Sequence, residues 1–248
     1  SIRILVLFVL CFGKPLFADN RLLLCKQAGQ YRVPDSTDQA AIGKKGVGVT
    51  FSSDSGFVTK QEGVRFLLSV IPADTSRSFW KHVTDSDTIG RYYQQHGSGH
   101  YVLCLADYSG VYDFETHLLF EVKADGTVLK AERYYHGNYP CCWNNAYEGF
   151  YKMGDFFVMT VCGTGSGYCG SEVYVFRELI SQSKQNSIRT HYWFSDPEGG
   201  DPRSLYATME CKGGAIIVHY TFETGSFSED NTRFQVAQTE RFDVSYQF

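Results

Sequence analysis

The sequence predicts an all-β fold, an antiparallel and hairpin-rich β-sandwich in meander order with at most one or two short helices. Three observations favour this class. Runs of β-branched and aromatic residues recur between Gly, Asp and Pro. Glycine-containing turns separate pairs of these runs, and no long stretch has a convincing helical period. A small propeller-like array is the alternative, but the sequence lacks the fixed repeat period typical of one.

The N-terminus has the layout of a secretory signal peptide. Arg3 precedes an apolar run over 4–12, and Ala18 offers a cleavage point. This run is too short to span a bilayer as a helix. A buried N-terminal strand is the alternative, because β-rich folds use similar apolar runs. We therefore expect a leader over 1–18, a single all-β domain over 19–248, and a secreted or periplasmic location.

The first strands are predicted at 47–51 (VGVTF) and 64–71 (VRFLLSVI). Both segments are rich in β-branched or aromatic residues and are bounded by Gly, Asp or Pro. The best helix candidate is 76–93, where three apolar residues have helix-like spacing. The helical content is therefore expected to be small and to lie after the first two strands.

Hairpins are predicted along the rest of the chain. Asp125-Gly126 joins 117–123 to 127–135, and a Gly-Gly turn joins 206–211 to 215–220. Alternation in the second arm of the first hairpin places Val128, Lys130, Glu132 and Tyr134 on one face. The remaining strands are predicted at 156–162, 172–177, 233–237 and 242–246.

The cysteines are interpreted as disulfide staples. Of the eight, Cys11 would leave with the leader, and the seven that remain are an odd number, so at least one is free or pairs outside the chain. Cysteines in an oxidising compartment default to disulfides. The spacings match neither a zinc site nor the C-x-x-C of a redox centre. The expected disulfide residues are Cys104, Cys141, Cys142, Cys162, Cys169 and Cys211, with Cys25 the seventh.

The glycine-rich segment 163–167 lies between Cys162 and Cys169. It lacks the Gly-Lys-Ser/Thr ending of a phosphate-binding loop, and a strand follows it where such a loop would introduce a helix. No Gly-x-Ser-x-Gly frame can be centred on Ser166. We interpret the segment as a flexible hairpin tip, closed by the two cysteines, that a partner's backbone can approach closely.

The charge of the chain argues against two classes of partner. The formal net charge is −4, and loss of Arg3 and Lys14 with the leader makes it −6. An acidic chain without a basic cluster is not typical of proteins that bind nucleic acid or anionic membranes. We expect no nucleic-acid partner and no membrane insertion after leader cleavage.

Cofactor and metal sites are not predicted. His96 and His100 have the spacing of a zinc pair only on a helix, and the two glycines between them disfavour a helix. In a loop, a third ligand such as Asp107, Asp113 or His117 would be needed, and the sequence does not fix one. The two histidines are interpreted as exposed turn residues. No catalytic residue, metal or cofactor is predicted.

Aromatic residues near the cysteine-rich loops are the candidate binding site. Phe, Trp and Tyr make up 16% of the chain. Tyr and Trp supply rigid, amphipathic contact area, although strands also use them in cores. The candidate binding residues are Tyr139, Trp143, Asn144, Asn145, Thr164, Ser166 and Tyr168.

Three functions remain open. The preferred one is an exported, non-enzymatic protein-binding protein, such as an inhibitor or an immunity protein acting on an envelope-targeting toxin or hydrolase. The second is a secreted glycan hydrolase that uses two carboxylates in one cleft as acid and base. Its candidate carboxylates are Asp113, Glu115, Glu148 and Asp155. The third is a carbohydrate-binding module that uses Trp143. The expected partner is another protein, with glycan as the alternative.

Overall fold

The computed structural model describes residues 39–71, 80, 84–108, 115–136, 146–165, 168–181, 184–185, 187–194, 202–228 and 233–248. The first sheet contains β1 (Ser55–Thr59), β2 (Thr88–Gln94), β3 (His100–Tyr108), β4 (Glu115–Lys123) and β5 (Val128–His136). The second contains β6 (Phe150–Met153), β7 (Phe156–Gly165), β8 (Tyr168–Phe176), β9 (Ser187–Phe194), β10 (Arg203–Lys212), β11 (Ala215–Phe227) and β12 (Phe234–Gln247). The helices are α1 (Lys60–Val70) and a 3-10 turn at Ala146–Gly149.

Both sheets are antiparallel meanders. The first has five strands and the second seven, and in each sheet every strand pairs with its neighbours in the sequence. The prediction of an all-β meander with little helix is confirmed. The propeller-like alternative is wrong, because the strands form two large sheets instead of repeated small ones. Among the described residues, no helix combines the length and the apolar character needed to cross a membrane.

Helix α1 forms where a strand was predicted at 64–71. Thr59 and Glu62 form a capping box, in which each side chain accepts a hydrogen bond from the backbone N–H of the other residue. Phe66, Leu67 and Val70 then recur on one buried face. The strand prediction was wrong because the apolar run was weighed without the cap that precedes it.

Two other early predictions also fail. The helix candidate 76–93 is not a helix where it is described, because Thr88–Gln94 forms β2 between β1 and β3. Segment 47–51 is irregular, and the first strand among the described residues is β1 instead. Burial of Phe51 explains its apolar character without strand pairing. Tertiary packing therefore outweighs local propensity in this part of the chain.

The predicted hairpins are confirmed and are longer than expected. Gly126 has a φ of 86° in the turn between β4 and β5, and Gly213 and Gly214 have φ values of 60° and 77° between β10 and β11. The predicted strands at 233–237 and 242–246 are one continuous strand, β12. A register shift between Glu121 and Val122 breaks the expected alternation in β5, so Val128 joins Ala131 in the first core.

Three apolar cores stabilise these layers. The first lies between α1 and one face of the first sheet, where Phe66 packs on Phe120 with ring centroids 5.2 Å apart. The second lies between the two sheets and includes Tyr134 of β5 with Phe157 and Phe176 of β7 and β8. Because the second core contains residues of both sheets, the sheets pack face to face across it.

The third core lies within the second sheet. It contains Val158 of β7 and Val218 of β11, strands that would be about 20 Å apart in a flat sheet. The sheet must therefore curve until β6–β8 face β10–β12. Phe248 packs on Phe156 at 5.6 Å, and Arg177 donates a hydrogen bond to the carbonyl of Gly214 at 3.1 Å. These contacts close the curve at one end.

The junction of β9 and β10 is short. These strands share only four residue pairs, from Arg203 opposite Phe194 to Tyr206 opposite His191. Beyond Tyr206, β10 pairs with β11 alone. The sheet therefore divides into β6–β9 and β10–β12 on either side of this short junction.

The prediction of disulfide staples is not supported. No disulfide is present in the part of the chain that the structure describes; Cys211 is a free thiol on β10, and Cys104 is buried in the second core. Cys162 lies opposite Ser171 and Cys169 opposite Thr164, so the two are not cross-strand partners. The ladder extends to Gly165 and Tyr168, which places both cysteines inside strands. Cys25, Cys141 and Cys142 lie outside the described residues.

Candidate binding surface on the second sheet

The face of β10–β12 that points away from the third core is exposed, and we call it the outer face. Its side chains are defined by the register and by strict alternation along the three strands. On β10 from Leu205 and on β12 from Glu240, the outward-facing positions are exposed while the intervening positions are partly buried. The outer face consists of Tyr206, Thr208, Glu210, Lys212, Ile217, His219, Thr221, Arg241, Asp243 and Ser245.

A histidine between two carboxylates lies at the centre of the outer face. His219 Nδ1 is 2.8 Å from Asp243 Oδ1, and His219 Nε2 is 3.7 Å from Glu210 Oε1. The three residues belong to three adjacent strands, with His219 directly opposite Asp243 in the register. The hydrogen bond to Asp243 raises the pKa of His219, and the charges of Asp243 and Glu210 act in the same direction.

This arrangement favours binding over catalysis. A general base needs a ring nitrogen with a free lone pair directed at a substrate. Here, both nitrogens of His219 face carboxylates, which favours the imidazolium form with two N–H donors. The carboxylates remain accessible, since Asp243 is 67% and Glu210 is 53% exposed. The group therefore presents fixed charges of both signs to solvent.

Tyr206 provides the aromatic contact of the outer face. It is 45% exposed, which is unusual for so large a side chain, and its ring centroid is 5.5 Å from that of His191 on β9. Burial lowers the pKa of His191, so this ring is neutral near pH 7. The pair lies at the short junction of β9 and β10, where the register places the two residues opposite each other.

Aromatic rings also pack together where β11 ends and β12 begins. Trp193 packs edge-on against Phe234 at 5.1 Å and against Phe227 at 5.9 Å. Phe227 and Phe234 are opposite each other at the ends of β11 and β12. Edge-to-face ring contacts of this kind stabilise cross-strand pairs. The cluster therefore fixes one end of the three-stranded surface.

Of the two histidines interpreted as exposed turn residues, His96 lies in a turn and His100 lies in a strand. His100 begins β3 and lies 3.3 Å from Glu121 Oε1, and Lys130 Nζ lies 3.3 Å from the other oxygen of that carboxylate. His117 is buried on β4 opposite Ala106, at the other end of the ladder from His100. His96 is exposed in the turn before β3. The alternative in which His117 completes a site with His96 and His100 is wrong.

The predicted binding residues are not brought together within the described chain. Tyr139, Trp143, Asn144, Asn145 and Ser166 lie outside it. Thr164 is on β7 opposite Cys169, and Tyr168 is on β8 opposite both Gly165 and Phe194. These two residues were expected in a flexible tip but belong to paired strands, because the β7–β8 ladder continues through the glycines.

The carboxylates of the hydrolase alternative gain no support. Glu148 and Asp155 are both exposed, Glu115 is the first residue of β4, and Asp113 lies outside the described residues. Across the described ranges, no group of three or more His, Cys, Asp or Glu side chains is arranged to hold a metal ion.

The outer face was missed by the sequence analysis, although part of its signal was present. The two-residue turn Gly213-Gly214 fixes the register of β10 and β11, and alternation then places Glu210 and His219 on one face. Asp243 had no such signal, because a longer connection joins β11 to β12.

No protein-family model, curated protein or solved structure matches this chain.

Proposed function

We propose that this chain is a non-enzymatic binding protein that recognises another protein through the outer face. The observation that carries the proposal is the His219 group with Glu210 and Asp243, fixed on a rigid three-stranded surface. Binding sites placed on strands hold their side chains more exactly than sites on loops. The second sheet thus provides a pre-organised surface.

The chemistry of this surface suits a protein partner with charges of both signs. Glu210 and Asp243 supply negative charge, and Lys212 and Arg241 supply positive charge, within one face. Complementary charges contribute specificity and rapid association. Tyr206 adds the type of residue that most often contributes strongly to protein interfaces. A mixed surface with one aromatic anchor resembles an interface more than a catalytic cleft.

The finer proposal is an exported inhibitor or immunity protein that acts on an envelope-targeting toxin or hydrolase. It rests on the leader-like segment 1–18 and on the acidic net charge of −4. Such a protein needs a rigid surface and no reaction of its own. A glycan hydrolase and a carbohydrate-binding module remain the alternatives, and the same experiment distinguishes them.

The test is affinity capture of envelope proteins with three forms of the tagged chain. We expect the unmodified protein to recover one protein in near-equal amount. Tyr206→Ala should reduce that recovery at least about tenfold, as expected for an interface anchor worth more than about 1.4 kcal/mol. Phe57→Ala is the matched control, because Phe57 is an aromatic residue 63% exposed on the first sheet.

Two results would contradict the proposal. One is equal recovery with Tyr206→Ala and Phe57→Ala, which would remove the outer face as the binding surface. The other is recovery of no protein while glycan is retained or consumed, which would favour the carbohydrate-binding module or the hydrolase respectively.

A further inference from the structure

The edge of the second sheet is a long, open strand. β12 has 14 residues and pairs with β11 on one side, and no other described strand pairs with it on the other. It contains neither Pro nor Lys, two residues that commonly protect sheet edges. The outer edges of the first sheet, β1 and β5, have five and nine residues. β12 is therefore the most extensive edge in the described chain.

The sequence of β12 is chemically self-complementary about Phe242. Thr239-Glu240-Arg241-Phe242-Asp243-Val244-Ser245 has a cation one residue before its centre and an anion one residue after it. In an antiparallel pair of two such strands centred on Phe242, Arg241 lies opposite Asp243 of the second copy. The two-fold axis repeats the pair, so two ion pairs form on the outer face.

We propose that two copies of this chain associate through antiparallel pairing of their β12 strands, centred on Phe242. The product is one continuous sheet of twice seven strands, with both outer faces on the same side. This goes beyond the proposed function, because it needs no other protein.

The charges specify this register against its neighbours. If the centre moved by one residue towards Arg241, that guanidinium would lie opposite itself in the second copy. A shift the other way would place Asp243 opposite Asp243. Like charges directly opposite each other destabilise a strand pair, whereas opposite charges stabilise it. Only the register centred on Phe242 satisfies both residues.

The other face of the strand is compatible with the same pairing. Phe242 stacks on Tyr220 of β11 with ring centroids 5.1 Å apart. Pairing centred on Phe242 brings the two phenylalanines side by side and extends this aromatic row across the axis. Glu240 would lie opposite Val244, and it already accepts a hydrogen bond from Gln238 of its own strand at 3.0 Å.

Sedimentation equilibrium of the purified full chain tests the proposal. The unmodified protein should sediment at twice the mass of one chain. Asp243→Arg places two cations opposite each other in both symmetric positions, so the dimer dissociation constant should rise at least about tenfold. The double variant with Arg241→Asp and Asp243→Arg restores opposite charges at these positions. Its dimer dissociation constant should return to within about threefold of that of the unmodified protein.

Asp54→Arg is the matched control, because Asp54 is exposed before β1 and has the same change of charge. It should leave the constant unchanged, and circular dichroism should show the same fold in every variant. A monomeric unmodified protein, an Asp243→Arg variant that associates normally, or a double variant that does not recover would each overturn the proposal. An equal rise in the dissociation constant for Asp54→Arg would also overturn the proposal, because it would show that the change in net charge causes the rise.

Discussion

At the scale of single residues, the protonation of His219 is linked to the stability of the fold. Its ordinary pKa is about 6.5, and the hydrogen bond to Asp243 raises that pKa in the folded protein. The folded state therefore holds the proton more tightly than the unfolded state. The resulting stabilisation is fully present below pH 6.5 and is lost as the pH rises through the raised pKa.

His219→Gln is expected to reduce thermal stability in a pH-dependent way. The difference in Tm from the unmodified protein should be largest near pH 5.5 and should shrink by pH 9, because neutral His219 has no charge for Glu210 and Asp243 to stabilise. His219 is 41% exposed, so the effect should also weaken in high salt. Scanning calorimetry at several pH values measures it.

The control for that measurement is His96→Gln. His96 is exposed in the turn between β2 and β3, away from the outer face. At pH 5.5, its substitution should change the Tm much less than His219→Gln does. A difference for His219→Gln that is equally large at pH 5.5 and pH 9 would mean that lost packing, and not the proton, is responsible.

At the scale of elements, the sequence predicts hairpins better than it predicts isolated segments. The turn at Gly213-Gly214 fixes both the position and the register of β10 and β11, and the turn at Gly126 fixes the position of β4 and β5. By contrast, 64–71 was predicted to be a strand and lies mostly in α1. The prediction is wrong because the β-branched and aromatic content of the segment was given more weight than the capping box that precedes it.

The same difference explains how much of the candidate site was predictable. Glu210 and His219 share a hairpin, so alternation alone places them together. Asp243 reaches them through the register of β11 and β12, and the connection between those strands does not fix that register. Tyr206 and His191 meet only because β9 joins β10 over four residue pairs. Contacts between strands that are not joined by a tight turn depend on tertiary packing, which the local sequence does not encode.

Thr59→Ala is expected to destabilise the protein through α1. The side chain of Thr59 accepts a hydrogen bond from the Glu62 amide, and loss of such a cap costs about 1 kcal/mol. Denaturation by urea should show this decrease in the free energy of unfolding. Gln61→Ala, on the exposed side of the same helix, should change it by less than about 0.5 kcal/mol. Equal effects of the two substitutions would mean that the cap contributes nothing.

At the scale of the whole molecule, the second core makes the two sheets depend on each other. Phe157 of β7 is fully buried between Phe150 and Phe176, and it belongs to the same cluster as Leu119 and Val102 of the first sheet. A side chain in this position contributes to both layers. Loss of packing here should therefore affect the stability of both sheets.

Phe157→Ala should lower the free energy of unfolding by about 3 to 5 kcal/mol, because a large cavity opens between the sheets. Urea denaturation measured by both circular dichroism and tryptophan fluorescence should give the same decrease. Phe57→Ala, at a position 63% exposed, should cost less than about 1 kcal/mol. A loss seen by only one of the two probes would contradict a single cooperative unit that contains both sheets.

The meander order also has a consequence for how the chain folds. Each ladder joins segments that are adjacent in the sequence, so strand pairing can proceed hairpin by hairpin with little loop-closure entropy. The third core is different, because Phe156 of β7 must meet Phe248, which follows β12. During synthesis, the first sheet and its helix can form early, whereas the apolar side of β7 and β8 stays uncovered until β10–β12 have emerged. That interval is when the chain is most exposed to aggregation.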